Sequence, residues 1–266
     1  MKIAIIGTGN LGKSIAKGLL SNPAITSLYL TKRNLAELEE FKENEHVFVT
    51  SDNTEAIQNS DSIILAVQPS HLEGILHEIQ PLLKGNHVLI STITGFSISK
   101  IEEIVGEGTS IIRAMPNTAI AVGKSMTCMC GNDKGLEHMK VAKDIFNELG
   151  TAMIIPESQM QAATVVCASG IAFWMRMIRA TTQAAIQLGF DAKEAQELAM
   201  HTCEGAASLL ITTGNHPEQE IDKVTTPKGC TIEGLNEMEH QGLSSSLIRG
   251  MVTSFQKINT IKTEQL

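Results

Sequence analysis

The first twenty residues constrain the fold more than any other stretch. Lys2 to Ile6 is a short apolar run, rich in β-branched residues and without strict alternation. That is the pattern of a strand buried on both faces of a parallel sheet. Gly7-Thr8-Gly9-Asn10-Leu11-Gly12 follows at once, and Leu11, Ile15, Leu19 and Leu20 then recur at helical spacing until Pro23. Strand, G-x-G-x-x-G turn and helix in this order form the phosphate-binding entry of a doubly wound α/β domain. The first glycine permits the tight turn, the second lets the backbone approach a pyrophosphate, and the third lets the helix pack close to the strand. The helix N-terminus adds free N–H groups and the positive end of its dipole. Residues Gly7, Thr8, Gly9, Asn10, Leu11 and Gly12 are therefore expected to hold a dinucleotide.

The alternation continues. Leu28 to Thr31, Val47 to Thr50, Asp61 to Val67, His87 to Thr92, Ile111 to Arg113, Ser125 to Met129 and Thr151 to Ile155 read as strands. Helical segments fall between several of them. Leu35 to Phe41 is one, a second opens at Pro69, a third lies near residues 100 to 105 behind a Ser99/Glu102 capping box, and a fourth covers roughly 134 to 149. Such alternation predicts a mostly parallel sheet in a Rossmann domain. After Pro156 the pattern changes. Residues 158 to 188, about 190 to 211 and about 232 to 262 read as helices, the second capped by Asp191 with Glu194 and stopped by Gly214. The expected organisation is a dinucleotide-binding domain over residues 1–156 and an all-α domain over 157–266.

Composition narrows the partners. The chain has 266 residues, 42% apolar and 19% charged, with a formal net charge of −8. The charge argues against nucleic acid or an anionic membrane as the main partner. The five cysteines, Cys128, Cys130, Cys167, Cys203 and Cys230, contain no C-x-x-C, so neither zinc-type spacing nor a secreted disulfide framework is present, and no metal site is expected. The N-terminal apolar run is too short for a signal peptide. The longest apolar stretch, around Ala162 to Met175, meets Arg176 before it would span a bilayer. A soluble, cytoplasmic protein is the expectation. The 158 to 188 helix is apolar on several faces, more than one small domain can bury, which points to helix packing across a homodimer.

Further candidate residues fall after the strands. Lys32 and Arg33 end the second strand, where NAD-preferring sites carry an acidic residue for the ribose 2′-OH. A guanidinium and an ammonium there suit a 2′-phosphate, so NADPH is favoured over NADH, which stays admissible; the alternative is a solvated basic pair. Asn53, and Ala66-Val67-Gln68-Pro69, lie at the carboxyl end of the sheet, where they either line the crevice or form ordinary loops. Arg113-Ala114-Met115-Pro116-Asn117-Thr118 is unusual for packing alone, although a capped tight turn accounts for it physically.

This last run, with Ala121-Val122-Gly123 behind it, resembles the R-x-M-P-N-T…V-G stretch of pyrroline-5-carboxylate reductases. Ala66-Val67-Gln68-Pro69 resembles the family's A-V-K-P. Ala168-Ser169-Gly170-Ile171-Ala172-Phe173 resembles its G-S-G-P-A-Y, and Val224-Thr225-Thr226-Pro227-Lys228-Gly229-Cys230-Thr231-Ile232 its V-T-S-P-G-G-T-T-I. The likeness covers nearly the whole chain. Departures occur at Gln68, Ile171, Lys228 and Cys230, and those at Ile171 and Lys228 touch the expected substrate pocket.

The resemblance implies NAD(P)H-dependent reduction of 1-pyrroline-5-carboxylate to L-proline, the last step of proline biosynthesis, by a homodimer or ring of dimers. Met115, Pro116 and Asn117 would then belong to the cofactor site. In that family the helical domain of one chain completes the crevice of its partner. Thr226, Gly229, Cys230 and Thr231 would bind the cyclic imine carboxylate, its carboxylate taken by backbone N–H groups at a helix start. Thr231 matches the position whose hydroxyl lies near the imine nitrogen; the plainer alternative is an N-cap, and the two roles can coexist. A reductase of a related imine or hydroxy acid, or a non-catalytic dinucleotide-binding paralogue, are the alternatives. Enzymes of the hydroxy-acid class carry a lysine in the first long helix of the second domain, where this chain has Arg176 and Arg179.

Overall fold

A computed structural model describes the backbone from residue 1 to 264 and the side chains to residue 258. Eight strands form one sheet: β1 (Lys2–Ile6), β2 (Ser27–Thr31), β3 (Val47–Thr50), β4 (Ser62–Leu65), β5 (Val88–Ser91), β6 (Ser110–Met115), β7 (Ser125–Gly131) and β8 (Gly150–Ile154). Their order is β3-β2-β1-β4-β5-β6-β7-β8. The first six are parallel, so the expected mostly parallel sheet is present. β7 runs antiparallel to β6, and β8 is parallel to β7. The reason is the connection. Only a short turn, Thr118–Val122, separates β6 from β7, too little chain for the crossover that parallel pairing requires.

Helices α1 (Asn10–Leu19), α2 (Asn53–Gln58), α3 (Pro69–Ile79) and α4 (Ile98–Val105) follow the strands that begin the chain. Two apolar clusters cover the two sheet faces. One takes Ile3 and Ile5 of β1 with Ile15, Leu19 and Phe146; the other takes Ala4 and Ile6 with Leu72, Leu76 and Ile101. Alternate residues of one strand thus serve opposite layers, as a central parallel strand must. Each fully buried aliphatic side chain there contributes about 1.5–3 kcal/mol relative to exposure.

Two local expectations are corrected. The cap of α4 is Ser97, whose side chain accepts from Lys100 N–H, not Ser99. With Ser97 as the cap, the third helical position is Lys100, so Glu102 forms no capping box; its carboxylate accepts from Asn132 Nδ2 at 2.8 Å instead. The helix read over 134 to 149 is two, α5 (Asp133–Glu137) and α6 (Met139–Asn147). Gly135 presses so close to Ile111 that a Cβ would lie 2.1 Å from its carbonyl oxygen, and Asn132 Oδ1 caps Gly135 N–H at 2.7 Å. These contacts pin α5 to β6, and the chain restarts at His138 to reach α6.

The chain divides into two compact units, Met1–Ser169 with Lys257–Leu266, and Gly170–Gln256. This division falls later than residue 156 because α7 (Met160–Ala163) and the π-helical turn Thr164–Ser169 remain with the sheet unit, where Met160 is fully buried in its second cluster. The second unit holds α8 (Gly170–Gln187), α9 (Ala192–Thr213), α10 (Pro217–Val224), α11 (Cys230–His240) and part of α12 (Leu243–Glu264). Asp191 caps α9 by accepting from Lys193 and Glu194 N–H, and Gly214 closes it at φ 66°. α10 lies between the helices expected from the sequence and opens on a capping box of His216 and Gln219, with Pro217 in its first turn. The helical run Glu157–Gln187 is long and apolar enough, by length and composition, to cross a membrane, so Arg176 does not by itself exclude a span.

Candidate cofactor cleft and substrate loop

The strand order reverses direction at β1 and β4, and a cleft of about 850 Å³ opens at that point. Crevices at such switch points, outside the carboxyl ends of strands, are where doubly wound folds bind ligands. Its walls come from Gly7, Thr8 and Gly9 after β1, Lys32 and Arg33 after β2, Asn53 after β3, and Ala66, Val67 and Gln68 after β4. Asn10, Leu11 and Gly12 form the first turn of α1, and Pro69 the first turn of α3. Met115, Pro116 and Asn117 stand at the end of β6 and do not line this cleft.

The loop after β1 is held by its backbone. Gly7 N–H donates to Thr31 Oγ1 at 3.2 Å, Thr8 N–H to Thr31 O at 2.8 Å, and Gly9 N–H to Gly7 O at 2.8 Å. Gly7 sits at φ 88°, and a Cβ there would lie 2.3 Å from Val67 Cγ1. Only glycine fits both the turn and the approach of β4. At Gly9 a Cβ would meet nothing within 4 Å, so its face is open. Among the described residues no side chain caps α1, whose N-cap is Gly9. Its first N–H groups remain for an anion. The cradle fits a dinucleotide pyrophosphate.

The basic side of the cleft is more complicated than the sequence suggested. Lys32 Nζ lies 2.5 Å from Glu37 Oε2, and Asn34 Nδ2 donates to Glu37 Oε1 at 3.4 Å. The hydrogen bond from Lys32 holds the Glu37 carboxyl below its ordinary range. Glu37 lies in the 3₁₀ helix Leu35–Phe41, one turn beyond β2, and lines the cleft. No acidic residue stands at the strand end itself; the 3₁₀ turn brings Glu37 back to it. Arg33 is exposed and has no hydrogen-bonded or ionic partner among the described residues. Asn53 Nδ2 donates to Glu78 Oε1 at 3.1 Å within the same cleft.

Around Met115 to Asn117 the polar groups are spent internally. Asn117 N–H donates to Ser125 Oγ at 3.1 Å, its Oδ1 accepts from Ala119 N–H at 3.0 Å, and its Nδ2 donates to Cys167 O at 3.2 Å. Asn117 thereby ties the end of β6 to the π-helical turn. Arg113, buried, pairs with Glu157 at 2.9 Å. Beside this turn Cys128 Sγ stands 3.9 Å from Cys167 Sγ. Burial, with Cys167 beside it, pushes the Cys128 thiol up to about 12.

The candidate substrate loop, residues 224–232, lies within the second unit. Lys228 adopts φ 62° and Gly229 is the N-cap of α11. Thr231, in the first turn, is therefore not the cap, and its exposed hydroxyl has no protein partner among the described residues. Gly229 N–H is committed to Thr226 O at 2.9 Å, which leaves the N–H groups of Cys230 and Thr231 facing out of the helix start. A Cβ on Gly229 would come 2.4 Å from Thr226 Oγ1, so glycine keeps this turn closed. His201, inside α9, is exposed and, among the described residues, pairs only with Glu204 at 3.6 Å.

Known proteins align with both units. Residues 157–261 match the family model described as pyrroline-5-carboxylate reductase dimerisation, and residues 2–95 the one described as NADP oxidoreductase, coenzyme F420-dependent. The chain is 43% identical over 99% of its length to pyrroline-5-carboxylate reductase 1 of Dictyostelium discoideum, although it spans only 50% of that relative. It is 39% identical to pyrroline-5-carboxylate reductase 2 of the same organism, covering 96% of this chain and 91% of that one. Among solved structures, a pyrroline-5-carboxylate reductase from Coxiella burnetii superposes with TM-score 0.91 at 28% identity over 97% of both chains. The Plasmodium falciparum enzyme, solved with NADP bound, gives 0.86 at 26% over 98% of both. With that identity carried across nearly all of a relative's length and the dimerisation model matched over the second half, the chain belongs to the pyrroline-5-carboxylate reductase family.

Proposed function

We infer that the chain reduces 1-pyrroline-5-carboxylate to L-proline, the closing step of proline biosynthesis, with NADPH preferred and NADH also accommodated. The observation that carries this reading is the likeness to reductases of that name along at least 96% of the chain, through both units. Bound in the cleft, the reduced nicotinamide would supply the hydride. The chain supplies position and polarity. The first turn of α1, with Gly7, Thr8 and Gly9, would hold the pyrophosphate. Lys32, Arg33 and Asn53 would hold the adenosine half, and Ala66 to Pro69 would line the crevice. Asn117 supports the site by fixing the end of β6, where Met115 and Pro116 stand.

For the substrate, the free N–H groups of Cys230 and Thr231 and the dipole of α11 would take the carboxylate, with Thr226 and Gly229 shaping that turn. The Thr231 hydroxyl would hydrogen-bond the imine nitrogen. A hydroxyl is too weak an acid to protonate the imine unaided, so Thr231 orients it. Most of the rate would come from holding the reacting carbons together in a site closed to water.

A homodimer, or a ring of dimers, is supported by the second unit's surface. Among its described residues only Gly170, Thr182, Ala195 and Ala199 are buried, while Trp174, Met175, Leu188 and Ile211 stand more than half exposed. A patch of this kind is an interface by ordinary standards. A cytoplasmic location is supported by five free cysteines.

The test is the initial rate of NADPH oxidation, and separately NADH oxidation, with pyrroline-5-carboxylate. Turnover with NADPH preferred is expected. Cofactor binding without turnover would overturn the substrate assignment, and a six-membered cyclic imine would be tried next.

A further inference from the structure

We propose that Glu37 sets the dinucleotide selectivity of the cleft by competing with a 2′-phosphate for the Lys32 ammonium. The inference rests on reading the cleft as a dinucleotide site. Lys32, Arg33, Asn34 and Glu37 share one wall of it. Two cations and one carboxylate leave that wall a net charge of +1 rather than +2. Lys32 is the more enclosed cation, with its side chain 20% exposed, and its ammonium is already in contact with Glu37. Asn34 steadies the same carboxylate from the other oxygen. A 2′-phosphate, carrying up to two negative charges, would have to share Lys32 with Glu37 or displace it. A ribose without the phosphate meets a carboxylate able to accept from its hydroxyls, the role an acidic residue plays in NAD-preferring folds. The wall therefore balances Lys32 and Arg33, which favour NADPH, against Glu37, which favours NADH.

The readout is binding, measured by fluorescence titration of NADPH and of NADH against wild type, Glu37→Gln, Lys32→Met and the double variant. Glutamine keeps the shape and an acceptor for Lys32 and removes the charge. The ratio of Kd for NADH to Kd for NADPH is expected to rise roughly two- to fivefold in Glu37→Gln, the size of a solvent-exposed ion pair. In the Lys32→Met background the same substitution is expected to lose that effect on NADPH. In turnover the gain should reside in KM for NADPH. An unchanged ratio, or a shift towards NADH, overturns the proposal, as does an undiminished NADPH gain when Lys32 is gone. Wild type that binds neither dinucleotide would instead overturn the site reading itself, a result distinct from binding with unaltered selectivity.

Discussion

Lys228 holds φ 62° at the entrance to α11, where the resembling family has glycine. A side chain in the left-handed region costs roughly 1–2 kcal/mol, while glycine loses about 0.5–1 kcal/mol through its freer unfolded chain. The two nearly cancel, so Lys228→Gly should leave the unfolding free energy, read by urea titration, within about 1 kcal/mol of wild type. Lys228→Val, with a branched Cβ, should cost about 1–2 kcal/mol. Substrate KM rising in both variants, neither of which keeps the ammonium, would assign that group to the carboxylate; an unchanged KM in both would place it in solvent. The sequence revealed this position as a departure from a motif, but not its backbone angle. A sequence pattern locates a turn, whereas the residue that must take positive φ depends on how Gly229 closes against Thr226. Glu37 was missed for a like reason: its contact with Lys32 is made by the fold of a 3₁₀ turn, not by adjacency in the chain.

His87 carries a pH dependence at the same scale. It is buried before β5, and its Nδ1 accepts from Lys84 N–H at 3.2 Å. Burial, with Lys84 nearby, lowers its affinity for a proton below the ordinary value of 6.5, and Asp61 offsets this only in part. The neutral ring is the form the fold accepts. Its contribution to stability is therefore complete above pH 6.5 and is lost as pH falls towards the lower folded value. Urea midpoints of wild type and His87→Gln, compared from pH 7.5 to 5.5, should converge as the pH drops. A constant gap across that range would sink the assignment.

At the scale of elements, the segment Glu157 to Ser169 joins what the sequence separated. The change of pattern after Pro156 was visible, and so was the length of the helices. What periodicity does not show is that the first turns of the helical half stay on the sheet. Glu157 is the reason. One oxygen, Oε1, accepts both Arg113 Nη1 at 2.9 Å and the N–H of Ile98, the first residue of α4, at 2.8 Å. It fixes three elements: β6, α4 and the start of the long helix. Arg113 is 8% exposed and its Nε already lacks a partner. Glu157→Gln would leave a buried guanidinium without its counter-charge, and a loss of about 3 kcal/mol is expected. Replacing both partners, Arg113→Met with Glu157→Leu, should recover part of it, since an apolar pair of similar volume avoids the unpaired charge. A chemical denaturation series on the three proteins checks this. Equal losses in the single and double variants would mean that the charge pair is not what holds the segment.

At the scale of the whole molecule, the two units differ in what they bury. The sheet unit encloses its core in two layers on its own. The helical unit does not: Trp174 and Met175 on α8 and Ile211 on α9 all stand more than half exposed, Ile211 at 83%. An isolated chain would hold that surface in water at about 25 cal/mol for each Å² of apolar area. Two copies burying it together would make folding and assembly one transition, because the helical unit gains its core only on association. Sedimentation equilibrium is then expected to give twice the 28.7 kDa chain, or a higher even multiple. The midpoint of thermal unfolding should rise with protein concentration, as mass action requires. Ile211→Asp, a charge placed on the exposed apolar face, should shift the population towards monomer and lower activity together, with activity recovering as concentration is raised. A monomer at every concentration, with full activity and a concentration-independent midpoint, would mean that the apolar helical face is covered by something other than a second copy.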